Sequence, residues 1–211
     1  MNCVPQGGAR FSFSTAPDAA QLARYFALRE TRFRETLGWQ SFRGEADDHD
    51  QRSSFVLALC ENEVVGGVRL YIRRGHAHDG LPLEADGLRL AELFPEWELP
   101  GTSYFEAGRL ALTATPHPGE LLAGLFEQML ALARLQGCRY LFAISPPVQA
   151  RHYRRVFRQL GERFETLDIE VPDRPLYEKT PMRLSMLDLD QAYRQDSTET
   201  HGSPKAWATA G

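Results

Sequence analysis

The sequence has little cysteine, little excess charge of either sign and no long apolar run. Its three cysteines, Cys3, Cys60 and Cys138, are spread across 211 residues. An odd, widely spaced trio is neither a disulfide framework nor a zinc-ligand pattern. It predicts reduced thiols and a cytoplasmic protein, with Cys60 and Cys138 packed as small hydrophobes. No stretch approaches the roughly 20 apolar residues of a membrane span, and residues 1–12 lack the apolar segment of a secretory signal. Lys and Arg number 24 against 28 Asp and Glu, a formal charge of −4. Without a basic surplus, a protein that coats nucleic acid is excluded as the first reading. His76-Ala77-His78-Asp79 is the one metal-like stretch, but no complementary ligand group accompanies it, so no metal is expected.

What is present is a chain with 43% hydrophobic and 25% charged residues, enough for one core. Residues 10–15 alternate as a short strand, and a helix opens near Asp18 and ends at Gly38. Residues 40–52 read as a polar surface loop. Residues 55–60 and 64–72 read as an antiparallel hairpin, and 73–101 as a long irregular connection, a kind that is usually functional or mobile. A strand over 104–113, a helix over 118–136, a strand over 140–144, a helix over 148–160 and strands over 164–171 and 182–189 complete the pattern. The chain after residue 194 is rich in Ser, Thr, Gly and Ala, so residues 195–211 are expected to form a disordered tail on a single domain spanning 1–194. The predicted class is α/β: a three-layer αβα sandwich around a central mixed, mostly antiparallel sheet.

Several charges interrupt apolar patterns. In Phe105-Glu106-Ala107-Gly108-Arg109-Leu110, two opposite charges stand inside a strand at an odd spacing, which a regular strand sends to opposite faces. A bulge near Gly108 would turn both toward one cleft. The pair is then either a base with an anion-orienting group or a strand-edge salt bridge. Arg69 interrupts the second hairpin strand. Arg29 interrupts the helix stripe Leu22, Phe26, Phe33, where its stem could also simply snorkel. Asp47, Asp48 and Asp50 crowd the loop before the hairpin, a run whose commonest fate is a solvated turn.

In order and spacing the set is more specific than any member. Arg29, Phe33 and Trp39 stand at the spacing R-x3-F-x5-W, followed by Asp47-Asp48-His49-Asp50, by Arg69, and by Glu106 and Arg109. This resembles the acyl-homoserine-lactone synthase family of bacterial quorum sensing, whose fold is GNAT-like. The resemblance implies an autoinducer synthase that needs no cofactor and uses two substrates. These are S-adenosylmethionine as the amine and a fatty acyl thioester, on acyl carrier protein or coenzyme A, as donor. It implies Glu106, Arg109 and Arg69 as the catalytic group, with Glu106 the base. Arg29, Phe33, Trp39, Asp47 and Asp50 would shape the adenosylmethionine site, and Phe142 and Ile144 would contact the acyl chain. His49 stands where the family has Phe, and the Glu-Ala-Gly-Arg wording is also similar to the long-chain N-acyl amino acid synthases, which form no lactone. That open-chain reaction, or another GNAT-like N-acyl transfer, is the alternative.

The donor leaves a local trace. The turn 113–119 holds two prolines and one glycine, a poor nest for the pyrophosphate of coenzyme A. Arg151, Arg154, Arg155 and Arg158 gather on the helix 148–160, a face suited to an acidic carrier protein.

Overall fold

The computed structural model describes residues 11–75, 80–85, 87–172, 177 and 180–190. The expected tail and the His76–Asp79 stretch lie outside the described residues. The strands are β1 (Ser12–Ser14), β2 (Ser54–Cys60), β3 (Glu63–Arg73), β4 (Tyr104–Leu112), β5 (Tyr140–Ser145), β6 (Phe164–Glu170) and β7 (Arg183–Asp188). The helices are α1 (Ala19–Leu37), the single-turn α2 (Leu90–Leu93), α3 (Pro118–Leu135) and α4 (Pro147–Gln159). The seven strands form one sheet in the order β1-β2-β3-β4-β5-β7-β6. Every neighbouring pair is antiparallel except β4 with β5.

Local chemistry accounts for the boundaries. The Asp18 side chain accepts from the Gln21 amide, and the Gln21 side chain accepts from the Asp18 amide in return, a capping box that starts α1. Gly38 ends the helix in the left-handed region. Glu61 and Asn62 both take positive φ between β2 and β3, the two-residue geometry that matches the twist of a hairpin.

Strand alternation divides the core by face. Val56, Ala58, Val68, Leu70, Phe105 and Leu141 pack under α3 and α4. Phe55 and Leu57 face the opposite side, where they pack with Tyr25 and Phe33 of α1. The rest of that side is covered by the connection between β3 and β4. Its Leu81, Leu83, Leu88, Leu90, Phe94 and Leu99 are buried against Tyr71, Tyr104 and Phe142. This irregular stretch is therefore a packed layer.

One expectation is corrected. The loop before β2 is partly buried: Phe42 and Asp50 are inside, and the Gly44 backbone lies so close to α1 that a Cβ would fall 2.2 Å from the Phe26 carbonyl. Cys60 is buried at the end of β2. Cys138 is free and buried, and burial raises its thiol pKa to about 11, which keeps it protonated and unreactive.

Candidate active site

The site is made by one irregularity in β4. Opposite β3, Gly67 pairs with Ala111 but Arg69 pairs with Gly108, so β4 carries one extra residue over that span. An extra residue reverses the alternation beyond it. Tyr104 and Glu106 face the α1 side before the bulge, and Ala111 does so after it, whereas Leu110 and Leu112 turn under α3. Glu106 and Arg109 thus both reach the cleft despite their odd spacing. The strained residue is Arg109 itself, at φ 57, and not Gly108. A non-glycine residue there costs about 1–2 kcal/mol, so neighbours must hold it.

Tyr25 is one holder. Its ring is fully buried under β3, and its hydroxyl donates to the Arg109 carbonyl. Gly67 makes the room, because a Cβ there would sit 2.7 Å from the ring. Burial raises the Tyr25 pKa, so the hydroxyl stays a donor. Tyr25→Phe keeps the ring and orphans the carbonyl. The expected result is a stability loss of about 1–3 kcal/mol, read by denaturant unfolding, together with slower turnover. Tyr25 escaped the sequence reading, although its place four residues before Arg29 put it on the same helix face.

The charged residues form one chain of pairs. Arg29 Nη1 and Nη2 donate to Asp50 Oδ1 and Oδ2 at 3.1 and 2.8 Å, and Nη2 also donates to the Gly44 and Glu45 carbonyls. Arg69 Nη1 donates to Asp50 at 3.0 Å and to Asp47 at 3.1 Å, and Arg109 Nη2 reaches Asp47 at 3.3 Å. Arg69 Nη2 stands 4.0 Å from Glu106 Oε1. The Leu83 amide donates to Glu106 Oε2 at 2.6 Å. Nothing in the sequence signalled that backbone contact. Burial alone would raise the Asp50 pKa, but the Arg29 hydrogen bonds, the Asp47 amide and the Arg29 and Arg69 charges outweigh it and lower it. Burial and the neighbouring Arg69 charge lower that of Arg109.

A cleft of about 590 Å³ opens over this chain. Of the residues singled out from the sequence, Phe33, Trp39, Arg69, Glu106 and Arg109 line it, as does His49, whose ring meets Tyr71 edge-on. Arg29, Asp47 and Asp50 stand behind that wall as a support. Phe142 is fully buried against Trp97 and Tyr104 and does not line the cleft, unlike Ile144 and Ser145 beyond it on β5. Phe33 and Trp39 meet edge-on at 5.4 Å, and Trp39 lies 5.0 Å from Tyr177, forming an aromatic corner at one end. At the other end the cleft passes between the strands. β4 and β5 pair only from Tyr104–Tyr140 to Glu106–Phe142, and beyond that point they separate. Among the described residues, no cluster of metal-ligating side chains occurs.

The strand order, the bulge and the separated central strands make up a GNAT-like fold. Residues 24–172 match the family described as N-acyl amino acid synthase FeeM, and the chain belongs to that family. Solved structures share the fold. BjaI, a CoA-dependent acyl-homoserine lactone synthase solved with SAM and isopentyl-CoA, superposes with a TM-score of 0.61 at 19% identity over 94% of this chain and 96% of its own. FeeM, an N-acyl amino acid synthase from uncultured soil microbes, gives 0.57 at 15% identity, covering 88% and 94%. Aminoglycoside 6'-acetyltransferase type Ii gives 0.53 at 12% identity, covering 85% and 96%. No curated protein matches the sequence.

Proposed function

We propose that the protein transfers an acyl group from a thioester to the α-amine of an amino-acid acceptor, releasing an N-acyl amino acid. The observation that carries the reading is the placement of Glu106 and Arg109 on one cleft wall by the β4 bulge. Family membership over residues 24–172 supports that product class.

The acceptor amine must be neutral to attack. Glu106, held by the Leu83 amide, takes its proton directly or through water. The nitrogen then bonds to the thioester carbonyl carbon and the carbon–sulfur bond breaks; of the two protons the ammonium loses in all, one leaves on the thiolate as free thiol and the other passes through Glu106 to solvent. Backbone along β4 past Glu106 has no β5 partner and faces the developing oxyanion. Arg109 and Arg69 supply positive charge for the acceptor carboxylate.

S-adenosylmethionine is itself an α-amino acid, and one observation favours it as a second reading. The Phe33, Trp39 and Tyr177 corner offers flat rings to a nucleoside or a sulfonium. After acylation the methionyl carboxylate would attack the γ-carbon, closing a lactone as the carbon–sulfur bond breaks and methylthioadenosine leaves. Chromatography of the reaction decides between the two. Thiol release with free amino acids supports the first reading, and methylthioadenosine release supports the second.

For the donor, Arg151, Arg154, Arg155 and Arg158 are exposed on α4 and form no ion pair among the described residues. His152 of the same helix lines the cleft mouth. An acidic carrier protein docked there would present its thioester to the cleft. Reversing Arg151 and Arg155 to Glu should raise KM for a carrier-protein donor severalfold, in a salt-dependent way, and leave a pantetheine thioester unaffected in steady-state assays.

A further inference from the structure

We infer that Glu84 positions the Glu106 carboxylate, acting through the Leu83 amide. The inference rests on the acyl transfer proposed above and gives the connection between β3 and β4 a part in setting its base.

The Leu83 amide that donates to Glu106 Oε2 at 2.6 Å belongs to an irregular segment and not to a neighbouring strand. It lies in a single 3-10 turn, Pro82–Glu84. Pro82 has no N–H, and the Glu84 N–H bonds back to the Leu81 carbonyl at 2.8 Å. It is the Leu83 N–H that crosses to the sheet. Leu81, Leu83 and Leu90 are buried in the apolar layer over Tyr104 and Phe142, but apolar packing is non-directional and does not aim an amide. Hydrogen bonds do.

Glu84 supplies them on both sides of Leu83. Its Oε2 accepts from the Leu81 amide at 2.8 Å, and its Oε1 accepts from the Leu90 amide at 3.1 Å. One carboxylate thus ties the entry of the turn to the start of α2 through two charge-assisted bonds. Pro82 and Ala85 line the cleft, whereas Glu84 stands outside its lining and acts at one remove.

Two effects of Glu84 on the base have opposite sign. Its anchor holds a donor on the Glu106 carboxylate, which favours the charged form, whereas its own negative charge disfavours that form. The charge does reach β4: burial, and after it Glu84, push the Tyr104 hydroxyl up to about 12. The other charged groups around Glu106 are Arg69 at 4.0 Å, Arg109 on its own strand, and Asp47 and Asp50 on Arg69, with His49 on the same cleft. Loss of Glu84 as a charge alone would lower the Glu106 pKa, and loss of the anchor raises it.

The experiment titrates the full chain, labelled with carboxyl-¹³C glutamate, by NMR, with Glu106→Gln assigning the Glu106 signal. In Glu84→Ala the Glu106 midpoint should rise by about one pH unit. Glu84→Gln keeps one acceptor and should fall between Glu84→Ala and the wild type. With an acyl-pantetheine donor and an amino-acid acceptor, kcat in Glu84→Ala should fall about tenfold or more with KM little changed. Added to Glu106→Gln, the same substitution should cost nothing further.

A midpoint that stays or falls in folded Glu84→Gln overturns the inference, and so does an equal loss of kcat in both backgrounds. A raised midpoint in a protein that transfers no acyl group supports the positioning and removes the acyl-transfer reading. Should Glu84→Ala fail to fold, Glu84→Gln carries the same test.

Discussion

Glu106→Gln should lower kcat by about two to four orders of magnitude, the range a positioned general base supplies. KM for both substrates should change little. The amide keeps the volume of the carboxylate and still accepts from the Leu83 amide, so β4 and the connection above it stay in place. What it loses is the capacity to take a proton. Glu106 is 6% exposed on the cleft wall, which shields the proton transfer from bulk water. Steady-state kinetics on a variant with an unaltered circular dichroism spectrum reads this cleanly. Full activity in such a variant would remove Glu106 from the chemistry and leave its contact with Arg69 as structural.

The second large effect concerns stability. Asp50→Ala leaves Arg29 with the Gly44 and Glu45 carbonyls alone and Arg69 with Asp47 and Glu106, on side chains that are 1% and 2% exposed. Removing one partner of a buried ion pair costs about 3–5 kcal/mol, because the remaining charge is left uncompensated in the interior. Here Arg29 loses its carboxylate while Arg69 keeps two others, so chemical denaturation should show a loss within that range. The pH dependence has a definite sign. The Asp50 pKa is lower in the folded protein than its ordinary value of 3.8. Its contribution is therefore complete above pH 3.8 and lost as the pH falls below that value through the lowered folded pKa. Asp50→Asn should flatten that segment of the acid-unfolding curve. An equally steep curve in the variant would place the acid sensitivity in other carboxylates.

Much of the fold was legible in the sequence because its signals are local. Asp18 and Gly38 bracket α1, and the period-two runs on either side of Glu61 and Asn62 define the hairpin. The site was legible in outline for a similar reason. A carboxylate and a guanidinium at odd spacing in an apolar strand conflict with alternation, and a bulge resolves the conflict. Which residue would bear the left-handed backbone was not legible. Arg109 takes it because Tyr25, from a helix 84 residues away in sequence, holds its carbonyl. The loop of acidic residues read as solvated, since nothing local says that Arg29, Arg69 and Arg109 will converge on Asp47 and Asp50. Phe142 lies away from the cleft for a reason only topology supplies: β4 and β5 separate just beyond it, and Ala143 to Ser145 become the wall. The Leu83 amide comes from a distant chain segment and leaves no local pattern.

If the bulge-built wall of Glu106 and Arg109 serves acyl transfer to an α-amine, its product can be weighed directly. The decisive measurement is mass spectrometry of the purified protein with a panel of acyl-pantetheines of graded chain length, a mixture of free amino acids and S-adenosylmethionine. An N-acyl amide, open-chain or lactone, should form in step with free thiol and be absent with Glu106→Gln. Thiol released without any amide product, or an amide formed equally by that variant, would contradict acyl transfer at this wall.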